Sequence, residues 1–246
     1  MPGPRGAAGY LASPTGDGET AGSPPAGVLT VSSIRAVFWD FGGVITSSPF
    51  ENFRRYEREH GLPENFLRET NAANHDHNAW AKLERSEIDL AEFDRLFLAE
   101  TTARGHAVPG RVVLPLLAGQ VRPWMVEVLR RVKARYRIAC LTNNIATGFG
   151  PGMGQDENSA RGMAEVLAMF EFVLESSRAG VRKPDPRFYE IACERMGVQP
   201  ADVVFLDDLG VNLKPAKAMG MTTIKFDDPR RAIGELAGVL GLELAP

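Results

Sequence analysis

Cysteine is scarce in this 246-residue chain. There are two, Cys140 and Cys193, far apart and without CxxC spacing. That excludes a disulfide framework and suits buried free thiols in a reducing compartment. An excess of one charge sign is also missing: 28 Lys plus Arg stand against 31 Asp plus Glu, a net charge of -3. Without a basic footprint, neither nucleic acid nor an anionic membrane is expected as a partner. Long hydrophobic runs are absent too, since the longest, residues 112–119, contains Pro115 and falls far short of a bilayer span. No apolar run follows a basic start, so a signal peptide is not expected, and the chain reads as cytoplasmic. Histidine numbers only four. His75-Asp76-His77 lacks a Cys or a third spaced His and reads as an exposed loop, not a zinc site.

What is present divides the chain by character. Residues 1–32 mix Gly and Pro with Ala, Ser and Thr, and show no apolar periodicity. This composition predicts a disordered tail. From Ile34 an almost continuous apolar run leads to Asp40-Phe41-Gly42-Gly43, the pattern of a central parallel strand stopped by glycines. Similar runs recur at 137–142, 170–174, 203–207 and 222–226. Helical patterns lie between them. Pro123 opens a stripe at Met125, Val128, Leu129 and Val132, Asp185-Pro186 opens a helix to about Met196, and two more are predicted over 212–219 and 229–240. This alternation predicts an α/β fold with a doubly wound, Rossmann-like parallel sheet. Its core would comprise residues 33–46 and 119–246. The intervening stretch, 47–118, is helical in pattern, with Asp89 as an N-cap three residues before Glu92. It predicts a helical cap over the carboxyl ends of the strands, where open α/β sheets bind ligands.

Each strand ends in something polar: Asp40, then Thr142-Asn143, then Lys183 in the loop after the third strand, then Asp207-Asp208. Carboxylates crowded together raise one another's pKa values. A divalent cation and an anionic substrate resolve that conflict, and hard oxygen donors of this kind suit Mg²⁺. The chemistry this pattern predicts is phosphoryl transfer. Gly148 to Gly154 is glycine-rich but matches neither GxGxxG nor GxxxxGK[ST], so it reads as a loop near the pocket.

Asp40-Phe41-Gly42-Gly43-Val44, Leu141-Thr142-Asn143, Lys183-Pro184 and Asp207-Asp208, in this order, resemble the four motifs of the haloacid dehalogenase superfamily of hydrolases. Glu175-Ser176-Ser177 through Pro186, and Phe205 through Ala216, resemble the N-terminal phosphatase domain of soluble epoxide hydrolase within that superfamily. The inserted helices with Trp80, Leu83, Glu84 and residues 88–93 resemble its cap. The resemblance implies a Mg²⁺-dependent phosphatase acting on a small phosphorylated metabolite. Asp40 would be the nucleophile that forms an aspartyl-phosphate. Asp40, the Gly42 carbonyl and Asp208 would hold the metal. Gly43, Thr142, Asn143 and Lys183 would bind the phosphoryl group, and Asp207 and Asn212 would support them.

One position departs from the pattern. Many phosphatases of the superfamily carry an Asp two residues after the nucleophile to protonate the leaving group, and here that residue is Gly42. A backbone ligand for the metal survives the change, but general acid and base assistance, worth roughly 10²- to 10⁴-fold, does not. The substitution implies a substrate with a good leaving group, such as an anomeric sugar phosphate or an acyl phosphate. Two alternatives follow from the same residues: a phosphometabolite-binding module that has lost turnover, and a dehalogenase, which Asp207-Asp208 disfavours because that chemistry uses no metal. Oligomeric state is not legible.

Overall fold

The computed structural model describes residues 34–146 and 157–245. The tail at 1–32 and the glycine-rich segment at 148–154 lie outside the described residues.

Five parallel strands form the sheet: β1 (Ala36–Trp39), β2 (Arg137–Thr142), β3 (Phe172–Glu175), β4 (Val203–Asp207) and β5 (Thr222–Lys225), in the order β3-β2-β1-β4-β5. β1 lies between β2 and β4, with Trp39 in register with both Cys140 and Leu206. The chain runs outward to β3 on one side and to β5 on the other. The end of β1 is therefore the point where strand order reverses and a crevice opens at the carboxyl edge.

Burial on both faces explains the continuous apolar runs. Val37 and Trp39 of β1 pack with Met125, Val128, Leu129 and Val132 of α6 (Pro123–Lys133). Ala36 and Phe38 face the opposite side, against Phe188, Ala192 and Met196 of α9 (Pro186–Met196) and Ala216 of α10 (Gly210–Ala218). Alternate residues thus feed two cores, and no polar face is left to give a period of two. Local signals set the helix ends: Pro186 occupies the first turn of α9, where Asp185 accepts from the Arg187 N–H at 2.9 Å.

Two boundaries and one helix differ from the sequence reading. Phe170 sits in the turn that ends α7 (Glu157–Leu167), a helix the sequence reading did not place, and β3 begins only at Phe172. The apolar spacing of Met163, Val166, Leu167 and Phe170, which all reach the core, was the available signal. Helix α10 begins at Gly210 and not at Asn212.

Between β1 and α6 every regular element is helical: α1 (Pro49–Glu59), α2 (Phe66–Ala72), α3 (Ala79–Glu84), α4 (Leu90–Ala103), α5 (Gly110–Val113) and a 3-10 turn at Leu114–Leu117. Asp89 caps α4 through the Glu92 N–H at 2.8 Å. The Glu92 carboxylate does not reciprocate and binds Arg95 instead. These helices share their own apolar cluster, in which Phe53, Phe66, Trp80, Phe93 and Phe97 pack with Ile145 from the loop after β2. The two connections to the sheet are stitched together. Ser47 N–H donates to Gln120 O at 2.9 Å, and a Cβ at Gly119 would stand 2.6 Å from Ser47 O, so only glycine permits the approach. No helix among the described residues is long and apolar enough to cross a membrane.

Candidate active site

Asp40 follows the last residue of β1 and is buried. Its Oδ1 accepts from the Phe41 N–H at 2.7 Å and lies 2.8 Å from Lys183 Nζ; neither contact uses Oδ2. Lys183 arrives from the loop between a short helix at Ser176–Ala179 and α9, with its ammonium also 2.7 Å from Asp207 Oδ2, and its side chain is 1% exposed. Asn143 holds that loop. Its Oδ1 accepts from Lys183 N–H and its Nδ2 donates to Lys183 O, both at 2.9 Å. The amide of Asn143, expected at the substrate, is thus engaged with the backbone that carries Lys183.

Asp207 is fully enclosed. Besides the lysine it accepts from Leu209 N–H at 2.8 Å and from Asn212 Nδ2 at 3.0 and 3.1 Å. Asn212 therefore lies inside the first turns of α10 and braces Asp207, and it caps nothing. Tyr189 in turn donates its hydroxyl to Asn212 O at 2.6 Å. Asp208 is only partly buried and stands against Gly43, whose φ of +80° puts it in the left-handed region. A Cβ there would collide with Asp208 Oδ2. Gly43 itself is not among the residues lining the cavity. Its carbonyl turns away to accept from Arg122 Nη1 at 2.8 Å.

Asp40, Asp207 and Asp208 each offer an oxygen within 4.8 Å of the others. Burial pushes the Asp40 carboxyl up to about 7, with Lys183 pulling it down and Asp207 pushing it up. Asp208 is pushed up to about 8 by burial first and then by Asp40 and Asp207. Burial would lower Lys183, but attraction to Asp207 and Asp40 outweighs it and holds the ammonium above the ordinary lysine range. The cluster is one cation against three acids. A divalent ion on the remaining oxygens fits this donor set in charge and in hardness.

Residues 34–220 match the model of the haloacid dehalogenase-like hydrolase family. The chain belongs to that family. It is similar to mouse (Mus musculus) acyl-CoA dehydrogenase family member 10, at 33% identity over 223 residues, covering 86% of this chain and 20% of the relative. It is also similar to pig (Sus scrofa) bifunctional epoxide hydrolase 2, at 29% identity over 226 residues, 86% of this chain and 40% of the relative. The chain thus spans between a fifth and two fifths of these relatives' lengths. Among solved structures, a HAD family enzyme from Bacteroides thetaiotaomicron in complex with magnesium and inorganic phosphate aligns with a TM-score of 0.52 and 19% identity, over 78% of this chain and 93% of that one.

In this hydrolase a cavity of about 410 Å³ opens above the acids, within the range of small-molecule sites. Asp40, Gly42, Thr142, Asn143, Lys183, Asp208 and Asn212 line its base, with the cap helices around it. Thr142 is buried there, its hydroxyl 3.4 Å from Asn143 O.

The sequence reading missed two supports. Asn144 donates to Glu175 Oε2 at 2.7 Å and accepts from the Ser177 hydroxyl at 2.8 Å, tying the loop after β2 to the end of β3. Arg182 Nε lies 2.5 Å from Glu84 Oε2, a contact of charge without hydrogen-bond alignment, while Trp80 Nε1 donates to Glu84 Oε1 at 3.0 Å. This arrangement seats α3 of the cap on the residue before Lys183. The adjacency of Arg182 to Lys183 was the signal that could have found it.

Proposed function

We propose that this hydrolase is a Mg²⁺-dependent phosphomonoesterase with Asp40 as nucleophile. The observation that carries the reading is the charge imbalance at the strand ends, where three buried or part-buried acids face the single ammonium of Lys183. That imbalance makes the site a receptor for a divalent ion and a phosphoryl group together. The relatives support it: one is a bifunctional epoxide hydrolase, and one structural neighbour is described with magnesium and phosphate.

The residues that would hold the metal are Asp40, the Gly42 carbonyl and Asp208. Both oxygens of Asp207 are taken by Lys183, Leu209 and Asn212. When bound, the ion would offset charge on the phosphoryl oxygens. Asp40 attacks phosphorus, the ester P–O bond breaks, and the alcohol part leaves as its alkoxide with that bond's electron pair and takes a proton from water. Thr142 donates to a phosphoryl oxygen, and Lys183 keeps Asp40 ionised and aligned. Water then attacks the aspartyl-phosphate, releasing inorganic phosphate and restoring Asp40. With glycine at 42 no neighbouring carboxyl protonates the alkoxide, so anomeric and acyl phosphates are the fitting substrates. The protein is read as acting in the cytoplasm.

A second reading, a pocket that binds a phosphorylated metabolite without turnover, is favoured by Gly42. A Cβ built there meets nothing within 4 Å. Space does not explain the missing Asp. The test is phosphate release from a phosphomonoester panel with and without Mg²⁺, beside Asp40→Asn and Gly42→Asp. Metal-dependent release lost in Asp40→Asn supports the first reading. Release confined to Gly42→Asp supports the second.

A further inference from the structure

The walls of the cavity contain more positive charge than the phosphoryl end uses. Among the described lining residues the basic side chains are Lys183, Arg182, His75 and Arg68. Lys183 is balanced by Asp40 and Asp207, and Arg182 by Glu84. His75 stands 3.3 Å from Asp76. Arg68 has no carboxylate partner among the described residues. Its side chain is exposed and lies over the ring of Phe50, with the guanidinium carbon 4.8 Å from the ring centre, and Phe50 is itself a cavity wall. Of the other cap arginines, Arg85 pairs with Glu87, Arg95 with Glu92, Arg104 with Glu69 and Arg111 with Asp94, while Arg54, Arg55 and Arg58 have no carboxylate partner among the described residues but line no part of the cavity.

Asn71 lies three residues on along α2, on the same face and also in the cavity wall. Its Oδ1 is buried and without a hydrogen-bond partner among the described residues. A buried amide left unpaired is costly unless a ligand completes it. In either amide orientation Asn71 adds one hydrogen bond, from a ligand hydroxyl to Oδ1 or from Nδ2 to a ligand anion. The same cavity is also lined by the apolar side chains of Phe53, Trp80, Leu117 and Ile145.

We propose that the substrate is a phosphomonoester whose alcohol part carries a second anionic group, and that Arg68, stacked on Phe50 and flanked by Asn71, binds that group. The proposal rests on the phosphatase reading and adds what the α2 wall of the cavity selects. A guanidinium held against an aromatic face is oriented before the ligand arrives, and its fork matches carboxylate or phosphate oxygens.

The test uses non-hydrolysable probes: a length series of alkyl phosphonates, the matching ω-carboxyalkyl phosphonates and the matching bisphosphonates. Each is titrated calorimetrically into the full chain with Mg²⁺, into Arg68→Gln, and into Arg58→Gln as a control for net charge, since Arg58 is exposed and lines no part of the cavity. At the best length, the carboxylated or bisphosphonate probe is expected to bind the parent protein on the order of tenfold more tightly than its alkyl counterpart. Arg68→Gln is expected to erase that gap and Arg58→Gln to keep it. Which doubly charged series binds better identifies the second anion as carboxylate or phosphate. Equal binding of charged and alkyl probes, or a gap that survives Arg68→Gln, overturns the subsite. If phosphomonoesters are cleaved while that happens, the phosphatase reading stands alone. If nothing is cleaved and no phosphonate binds, both fail together.

Discussion

The carboxylate of Asp208 occupies the space in which any side chain at Gly43 would begin. Glycine at 43 is therefore a condition for the position of Asp208, in addition to serving a backbone with φ of +80°. Gly43→Ala is expected to displace that carboxylate and weaken Mg²⁺ binding by about 10- to 100-fold, the usual effect of disturbing a ligand's support. Titration of Mg²⁺ into parent and variant checks this. Unchanged affinity would mean that Asp208 is not a ligand.

Among the described residues, Lys183 carries the one positive charge shared by Asp40 and Asp207. Lys183→Met leaves two buried carboxylates uncompensated, and loss of one partner of a buried pair costs about 3–5 kcal/mol. Urea unfolding in chelator is expected to show a loss of that order, along with loss of any phosphatase activity. A change below about 1 kcal/mol would show that the carboxylates simply take up protons instead.

The raised carboxyls give the metal-free protein a pH dependence of definite sign. Asp40 at about 7 and Asp208 at about 8 stand above their ordinary value of 3.8, so between these limits the folded state binds more protons than the unfolded chain. Stability contributed by these groups is present at about pH 4 and is lost as pH rises to about 8. In chelator, the melting temperature of the parent relative to Asp208→Asn is expected to fall across this window. Mg²⁺ should flatten the difference. A difference that rises with pH would refute the burial of these charges.

Glu84 joins the cap to the core through Arg182 and is itself held by Trp80. Glu84→Gln leaves the guanidinium without its carboxylate and loosens the seat of α3. A double-mutant cycle with Arg182→Gln is expected to give a coupling of about 0.5–3 kcal/mol in thermal unfolding. KM for any substrate turned over is expected to rise more than kcat falls. A coupling indistinguishable from zero would show that the contact does not hold the cap.

Asp40, Thr142 and the pair Asp207-Asp208 were legible because strand ends are local events, whereas Lys183, beyond β3 and the short helix at Ser176–Ala179, was legible from motif order. A buried parallel strand must be apolar on both faces, so the first polar residue after it marks the carboxyl edge, and β1, β2 and β4 place those residues side by side. Boundaries set by turns were less legible: Phe170 is as apolar as a strand residue and nonetheless belongs to the turn before β3.

Composition, strand pattern and motif order were sufficient to determine a Rossmann-like hydrolase core with a helical insertion and an acidic site. The tertiary structure alone decided how that site is supported. Asn143 reaches 40 residues ahead to Lys183, Ser86 meets Ser177 O across 91, and Arg182 meets His75 O across 107. No periodicity connects such positions, because side-chain pairing across that distance depends on how elements remote in sequence pack against one another. The same is true of Arg68, which the fold sets in the cavity wall against Phe50.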